Sequence, residues 1–123
     1  MPDNRFGKSN RLRKSADFRR IYRAEKKVIT PVIIFFLCQS DGAEPKLGLT
    51  VPKKVGKAVK RNRIKRRIRE AFRLSKHTLG QVDVVASPRR GAHDQPFEAY
   101  LQSFALLARL LRRGILQQTE PPS

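Results

Sequence analysis

Cys38 is the one cysteine in 123 residues, so no internal disulfide can staple this chain. It lies in an apolar run, residues 32–38, and reads as a small core residue rather than a nucleophile. The two histidines, His77 and His93, stand apart beside turns. Neither has a cysteine or a second histidine at ligand spacing, so each reads as a surface residue and no metal site is expected. Acids number only ten and are scattered without a close helical pair. No Gly-x-Ser-x-Gly or comparable nucleophile motif occurs. No catalytic residue is therefore expected in this chain. No apolar stretch approaches the roughly 18 residues of a membrane span. The basic N-terminus has no apolar run behind it, which argues against a secretory signal and for a cytoplasmic protein.

What the chain has in excess is positive charge: 28 lysines and arginines, a formal net charge of +18. Self-repulsion at that level opposes compaction, and a polyanionic partner explains why it is tolerated. A merely soluble surface mixes both signs and carries far less net charge. The length suits one domain that buries roughly two-thirds of its unfolded surface, and 39% hydrophobic residues suffice for that core.

Along the chain, residues 1–14 read as a flexible basic arm. Ser15 reads as a helix cap, with Asp17 in the first turn and Phe18, Ile21 and Tyr22 on one stripe to about Arg23. Lys26–Lys27 closes that helix. Residues 28–29 and 32–38 are β-branched and aromatic, with Pro31 at an edge or bend. Asp41-Gly42 lies in a loop, residues 47–51 form the next strand, and Pro52 marks its end. Residues 58–74 turn helical, with Ile64, Ile68, Ala71 and Phe72 on the buried stripe and Asn62, Arg66, Arg69 and Arg73 opposite. Gly80 follows that region. Residues 82–86 are a short strand and 87–91 a turn. Asp94 or Gln95 caps a last helix, with Pro96 at its first position and its apolar stripe running to Gly114. The order helix, strands, basic helix, strand, helix describes a single-domain α+β sandwich of one sheet with helices packed on it. It divides as arm 1–14, domain 15–115 and disordered tail 116–123.

Residues 53–73 hold Lys53, Lys54, Lys57, Lys60, Arg61, Arg63, Lys65, Arg66, Arg67, Arg69 and Arg73 against one acid, Glu70. Like charges at i, i+4 oppose their own helix by a few tenths of a kcal/mol per pair, so the segment works against itself until phosphates neutralise it. An ordinary solvated face alternates Glu with Lys. Arginine dominates residues 61–73, which suits bidentate contact with phosphate oxygens. Asn62 supplies a neutral donor and acceptor for a ribose hydroxyl or base edge. Gly56 makes a turn or lets a polyanion approach the backbone. Gly56-Lys57 is no nucleotide-binding loop, because the earlier glycine and the following Ser/Thr are missing.

The run Lys53-Lys54-Val55-Gly56-Lys57-Ala58-Val59-Lys60-Arg61-Asn62-Arg63-Ile64-Lys65-Arg66-Arg67-Ile68-Arg69-Glu70 resembles the signature of the protein component of bacterial ribonuclease P. Asn10-Arg11-Leu12, Asp17-Phe18, Leu47-Gly48-Leu49 and Asp83-Val84-Val85 resemble the family's flanking segments, and the similarity spans about residues 10–113. The resemblance implies a four-stranded sheet with three helices, in the order helix-strand-strand-strand-helix-strand-helix, with a left-handed strand–helix–strand crossover against the general right-handed rule. It implies that Lys53, Lys54, Lys57, Lys60, Arg61, Asn62, Arg63, Lys65, Arg66, Arg67 and Arg69 bind the catalytic RNA. It places Arg11, Phe18, Tyr22 and Phe35 in a cleft for the 5′ leader of precursor tRNA. Helical aromatics at this spacing also suit a core, so stacking and packing both stand for Phe18 and Phe35. The partners implied are ribonuclease P RNA, 1:1, and precursor tRNA, with no small-molecule substrate and no membrane. No cofactor is expected on the protein itself; Mg²⁺ is expected at the RNA, where the chemistry would lie.

Two positions depart from the family pattern. Pro52 replaces a usual serine, and Ser87-Pro88 precede Arg89 where a basic residue usually follows the strand. Three other readings fit parts of the sequence: a structural RNA-binding protein such as a ribosomal one, a metal-dependent nuclease acting alone, and a helix-turn-helix DNA binder. The last lacks a preceding short helix at the needed distance.

Overall fold

A computed structural model describes residues 10–117 of the chain. Helix α1 (Ser15–Arg23) leads to strands β1 (Lys26–Ile29), β2 (Ile33–Gln39) and β3 (Lys46–Leu49), then helix α2 (Ala58–Ser75), strand β4 (Val82–Pro88) and helix α3 (Phe97–Arg112). The sheet order is β1-β2-β4-β3. β1 and β4 flank β2 antiparallel, and β3 pairs parallel with β4. The unit β3–α2–β4 is thus a strand–helix–strand crossover between neighbouring parallel strands. Element order and fold class agree with the expectation from sequence. Lys26 and Lys27, expected to close α1, instead open β1.

Alternation along the strands divides the core. Ile33, Phe35 and Leu37 are fully buried with Val84, Ala86 and Leu47, beneath Ile64, Ile68, Phe72, Tyr100, Phe104 and Leu107 of α2 and α3. Phe104 meets both Phe35 and Phe72 edge-on. Burying each such large side chain is worth about 1.5–3 kcal/mol. That matters most for α2, whose own ends give it little. Its N-cap Lys57 makes no side-chain cap and its first turn holds no acid. Packing of its apolar stripe, not intrinsic propensity, holds this helix.

The opposite face is thinner. Its buried apolar cluster among the described residues is Leu12, Ile21 and Val85, with Phe18, Phe36 and Cys38 partly covered around them. Gly48 lies in this layer. A Cβ on it would stand 2.7 Å from Phe18 Cζ, so only glycine lets α1 sit this close to β3.

Both ends of the domain reach further than expected. Asn10 is buried, and its side-chain amide donates to the Pro45 carbonyl (2.9 Å) and to Glu44 (3.1 Å). The Leu12 N–H bonds the Leu47 carbonyl. Residues 10–12 are therefore docked, not part of a loose arm, because a polar anchor and an apolar side chain tie them to the β3 edge. At the other end Lys26 Nζ donates to the Leu116 carbonyl, and Leu116 packs against the core, so the tail cannot begin at 116. Residues 1–9 and 118–123 of the expected arm and tail lie outside the described residues.

Prolines explain two local departures. Pro52 is extended and its carbonyl accepts from Val55 N, starting a 3-10 turn that carries Lys53 and Lys54. The strand has already ended, at Leu49. Ser87 and Pro88 belong to β4, opposite Ile34 and Ile33. Arg89 N–H bonds Val32 on the β2 side (2.8 Å). The adjacent Pro88 nitrogen therefore faces the other side, beyond the end of β3, where no donor is needed. Arg89 thus follows the strand directly, as in the family pattern. Pro96 takes the cap position of α3 itself, and neither Asp94 nor Gln95 caps that helix.

Candidate nucleic-acid interface

Two surfaces carry the candidate residues, and the sheet separates them. On the first, the buried stripe of α2 turns its remaining circumference outward. Lys53, Lys54, Lys57, Lys60, Asn62, Arg63, Arg66 and Arg69 are exposed, and Arg61 and Lys65 half-buried. An open depression of about 420 Å³ is lined by Arg11, Asn62, Arg66, Arg69, Glu70 and Arg73. Partial burial, with the nearby Arg11 charge, pushes the Arg69 guanidinium below its ordinary pKa. A group so placed is relieved by an incoming anion. Within the notch, Glu70 is paired with Arg73, which holds its carboxyl below the usual range.

Three expected roles need correction. Arg67 does not face outward. It is half-buried, donates to the carbonyls of Gln95 (2.8 Å) and His93 (3.3 Å), and lies 5.9 Å over the Tyr100 ring. It ties α2 to the segment entering α3, because those carbonyls leave a polar gap that a guanidinium fills. Arg11, expected in the leader cleft, lines the α2 notch instead. Alternation explains this: Leu12 enters the α1 cluster, so its neighbour Arg11 faces away. Phe35 is 0% exposed against Phe104 on the sealed face. It has no surface left on which a base could stack.

The second surface is the α1 side of the sheet, where Phe36 takes the place expected of Phe35. Tyr22 and Phe36 meet edge-on with ring centroids 4.9 Å apart. Tyr22 is 39% exposed, and its hydroxyl lies 3.1 Å from that of Thr50. Phe18 rests on Gly48 and is partly exposed. Register puts Ile29, Ile34 and Ser87 in one row of this face, next to the row of Lys27, Phe36, Val85 and Gly48. At its open end, Ile29, Thr30, Pro31, Arg89 and Arg90 line a shallow hollow of about 650 Å³. The result is a half-open trough with aromatic side chains inside and cations at its rim. Unpaired bases stack on such faces at about 1–3 kcal/mol each. Among the described residues no group of three or more His, Cys, Asp or Glu is placed to hold a metal ion.

The family model described as Ribonuclease P matches residues 6–112. The chain belongs to the ribonuclease P protein family. It is 38% identical over 110 residues to the ribonuclease P protein component of Pseudoalteromonas translucida, covering 89% of this chain and 79% of that one. It is 36% identical to that of Clostridium botulinum, covering 88% and 97%. Among solved structures, the Staphylococcus aureus RNase P protein matches with TM-score 0.74 and 32% identity, over 85% of this chain and 97% of that one. The Thermotoga maritima RNase P protein gives 0.73 and 30%, over 80% and 96%. No helix among the described residues is long and apolar enough to cross a membrane.

Proposed function

We propose that this ribonuclease P protein binds the catalytic RNA through the outer face of α2 and holds the 5′ leader of precursor tRNA in the α1 trough. Its role is to assist removal of that leader. One observation carries the reading: a cationic helix and an aromatic trough are mounted on opposite faces of one sheet, so two RNA strands are held without competing. The cations screen repulsion between the RNAs and help Mg²⁺ occupy the RNA's own site, where the bond is broken. The protein supplies no catalytic group. It works 1:1 with its RNA, in the cytoplasm.

Reconstitution tests this. Protein, ribonuclease P RNA and precursor tRNA are mixed at low Mg²⁺, and 5′ cleavage is timed. Strong stimulation by the protein is expected; none would leave only a structural RNA-binding role, and cleavage without the RNA would move the chemistry onto the protein. Replacing Arg63 and Arg66 by Glu is expected to abolish assembly with the RNA while the circular dichroism spectrum stays unchanged. With about 5–8 phosphates neutralised, affinity falls steeply as salt rises.

A further inference from the structure

Asp83 is a carboxylate in the middle strand of the thin face, side chain 5% exposed, between the fully buried Val82 and Val84. One oxygen meets Arg20 Nη2 at 2.6 Å; the other, Oδ1, has no hydrogen-bond partner among the described residues. Such a charge is costly to bury, and an apolar side chain of similar size would serve folding as well or better. The same Arg20 reaches Cys38 Sγ with its other terminal nitrogen, at 3.2 Å. Cys38 and Asp83 are cross-strand partners, so one guanidinium spans β2 and β4. The hydrogen bond that Arg20 donates to Asp83 holds its guanidinium still more firmly protonated than usual.

Helix geometry gives this pair a consequence. Ile21 points straight into the sheet and is the only fully buried residue of α1. At about 100° per residue, Arg20 and Tyr22 leave the helix on opposite flanks of Ile21. Arg20 grips the Cys38–Asp83 row, while Tyr22 crosses to Phe36 and Thr50. Ile21 is then a pivot with one tie on each side. Hydrophobic contact at a pivot is non-directional and does not fix rotation. The ties do.

We infer that the Arg20–Asp83 pair is a positioning latch that sets the roll of α1 on the sheet and so the width of the Tyr22–Phe36 trough. The inference rests on the proposed role of that trough. Arg20 and Asp83 act through the aromatic pair and need touch no base. Breaking the latch frees α1 to rock about Ile21, and the stacking surface loses its fixed spacing.

The test uses the full chain, alone and reconstituted with ribonuclease P RNA, as Arg20→Ala, Arg20→Lys, Asp83→Asn and, for the trough itself, Tyr22→Ala. Nuclear Overhauser contacts between the Tyr22 and Phe36 rings are read in the free protein. Affinities for leader-bearing precursor, mature tRNA and the RNA subunit are read in parallel. Arg20→Ala and Asp83→Asn are expected to weaken the ring contacts. They should lower the preference for leader-bearing precursor about tenfold, the scale of one lost stacking contact. Affinity for the RNA subunit should hold, and Arg20→Lys should restore most of the preference. Unchanged ring contacts in Arg20→Ala would overturn the latch. So would equal losses toward all three RNAs, which mark a purely structural pair. If Tyr22→Ala leaves leader preference intact, the trough reading falls and takes the latch's functional role with it, whatever the ring contacts show.

Discussion

The two faces of the sheet are built to different standards. Beneath α2 and α3, Ile33, Phe35, Leu37, Val84 and Ala86 are wholly dry and packed by two long helices. Beneath α1, one nine-residue helix covers part of the sheet and leaves Tyr22 and Ile29 exposed. A soluble domain tolerates scattered apolar exposure, but aromatic side chains gathered in a trough with cations at its rim are informative. The sealed face carries the stability, and that surplus lets the other stay open. Polarity is divided as well: the sealed face hides its apolar stripe and turns outward a helix that no acid but Glu70 offsets.

Neighbouring phenylalanines offer the sharpest way to break this contrast. Phe35→Ala empties a site filled against Phe104 and should cost about 3–5 kcal/mol in urea unfolding. Phe36→Ala should cost clearly less stability. It should instead weaken binding of leader-bearing precursor by about 1–3 kcal/mol, leaving mature tRNA unaffected. Equal destabilisation by the two substitutions would erase the distinction between the faces.

A smaller effect separates cations on α2. Arg67→Ala removes charged hydrogen bonds to two carbonyls and should lower stability by about 1.5–3 kcal/mol. Arg63 is exposed, and Arg63→Ala should leave the melting temperature in place and reduce the salt slope of RNA binding by about one. Gly48→Ala tests the thin face at similar scale. The added methyl drives Phe18 off β3, costing about 1–3 kcal/mol and blunting leader preference together. A neutral Gly48→Ala would mean that α1 rests on the sheet more loosely than its distances state.

These cases also mark where the sequence was readable. Element order, the buried stripe of α2 and the outward arginines followed from periodicity, because polar and apolar residues alternate cleanly there. β2 has no such alternation. Ile33-Ile34-Phe35-Phe36-Leu37 is apolar on both faces, so nothing local tells which phenylalanine looks toward α1. The signal that existed was relational: the i, i+4 pair Phe18 and Tyr22 needs a partner in the row of Gly48. Arg67 was hidden by the opposite problem. On a helix that is cationic nearly all round, the arginine turned inward is identified only by the carbonyls waiting at Gln95 and His93, which belong to a distant segment. Arg20 and Asp83, 63 positions apart, meet only once β4 lies under α1.

The mildest test concerns Glu70, the acid within the cationic face. Arg73 holds its carboxyl below the ordinary range of about 4.5, first by hydrogen bonding and then by charge. A carboxyl with a depressed folded-state pKa contributes its stability above that ordinary range and loses it as pH falls through and below it. Both side chains are partly exposed to solvent, so the contribution is small and weakened by salt. Glu70→Gln should therefore melt slightly below the parent protein at pH 7 and coincide with it near pH 3. For RNA the sign reverses. Removing the acid frees Arg73 and adds one net positive charge beside Arg66 and Arg69, so affinity should rise modestly and most at low salt. Weaker binding by Glu70→Gln would instead make Glu70 a reader of RNA groups, and the outer face of α2 more than a bed of positive charge.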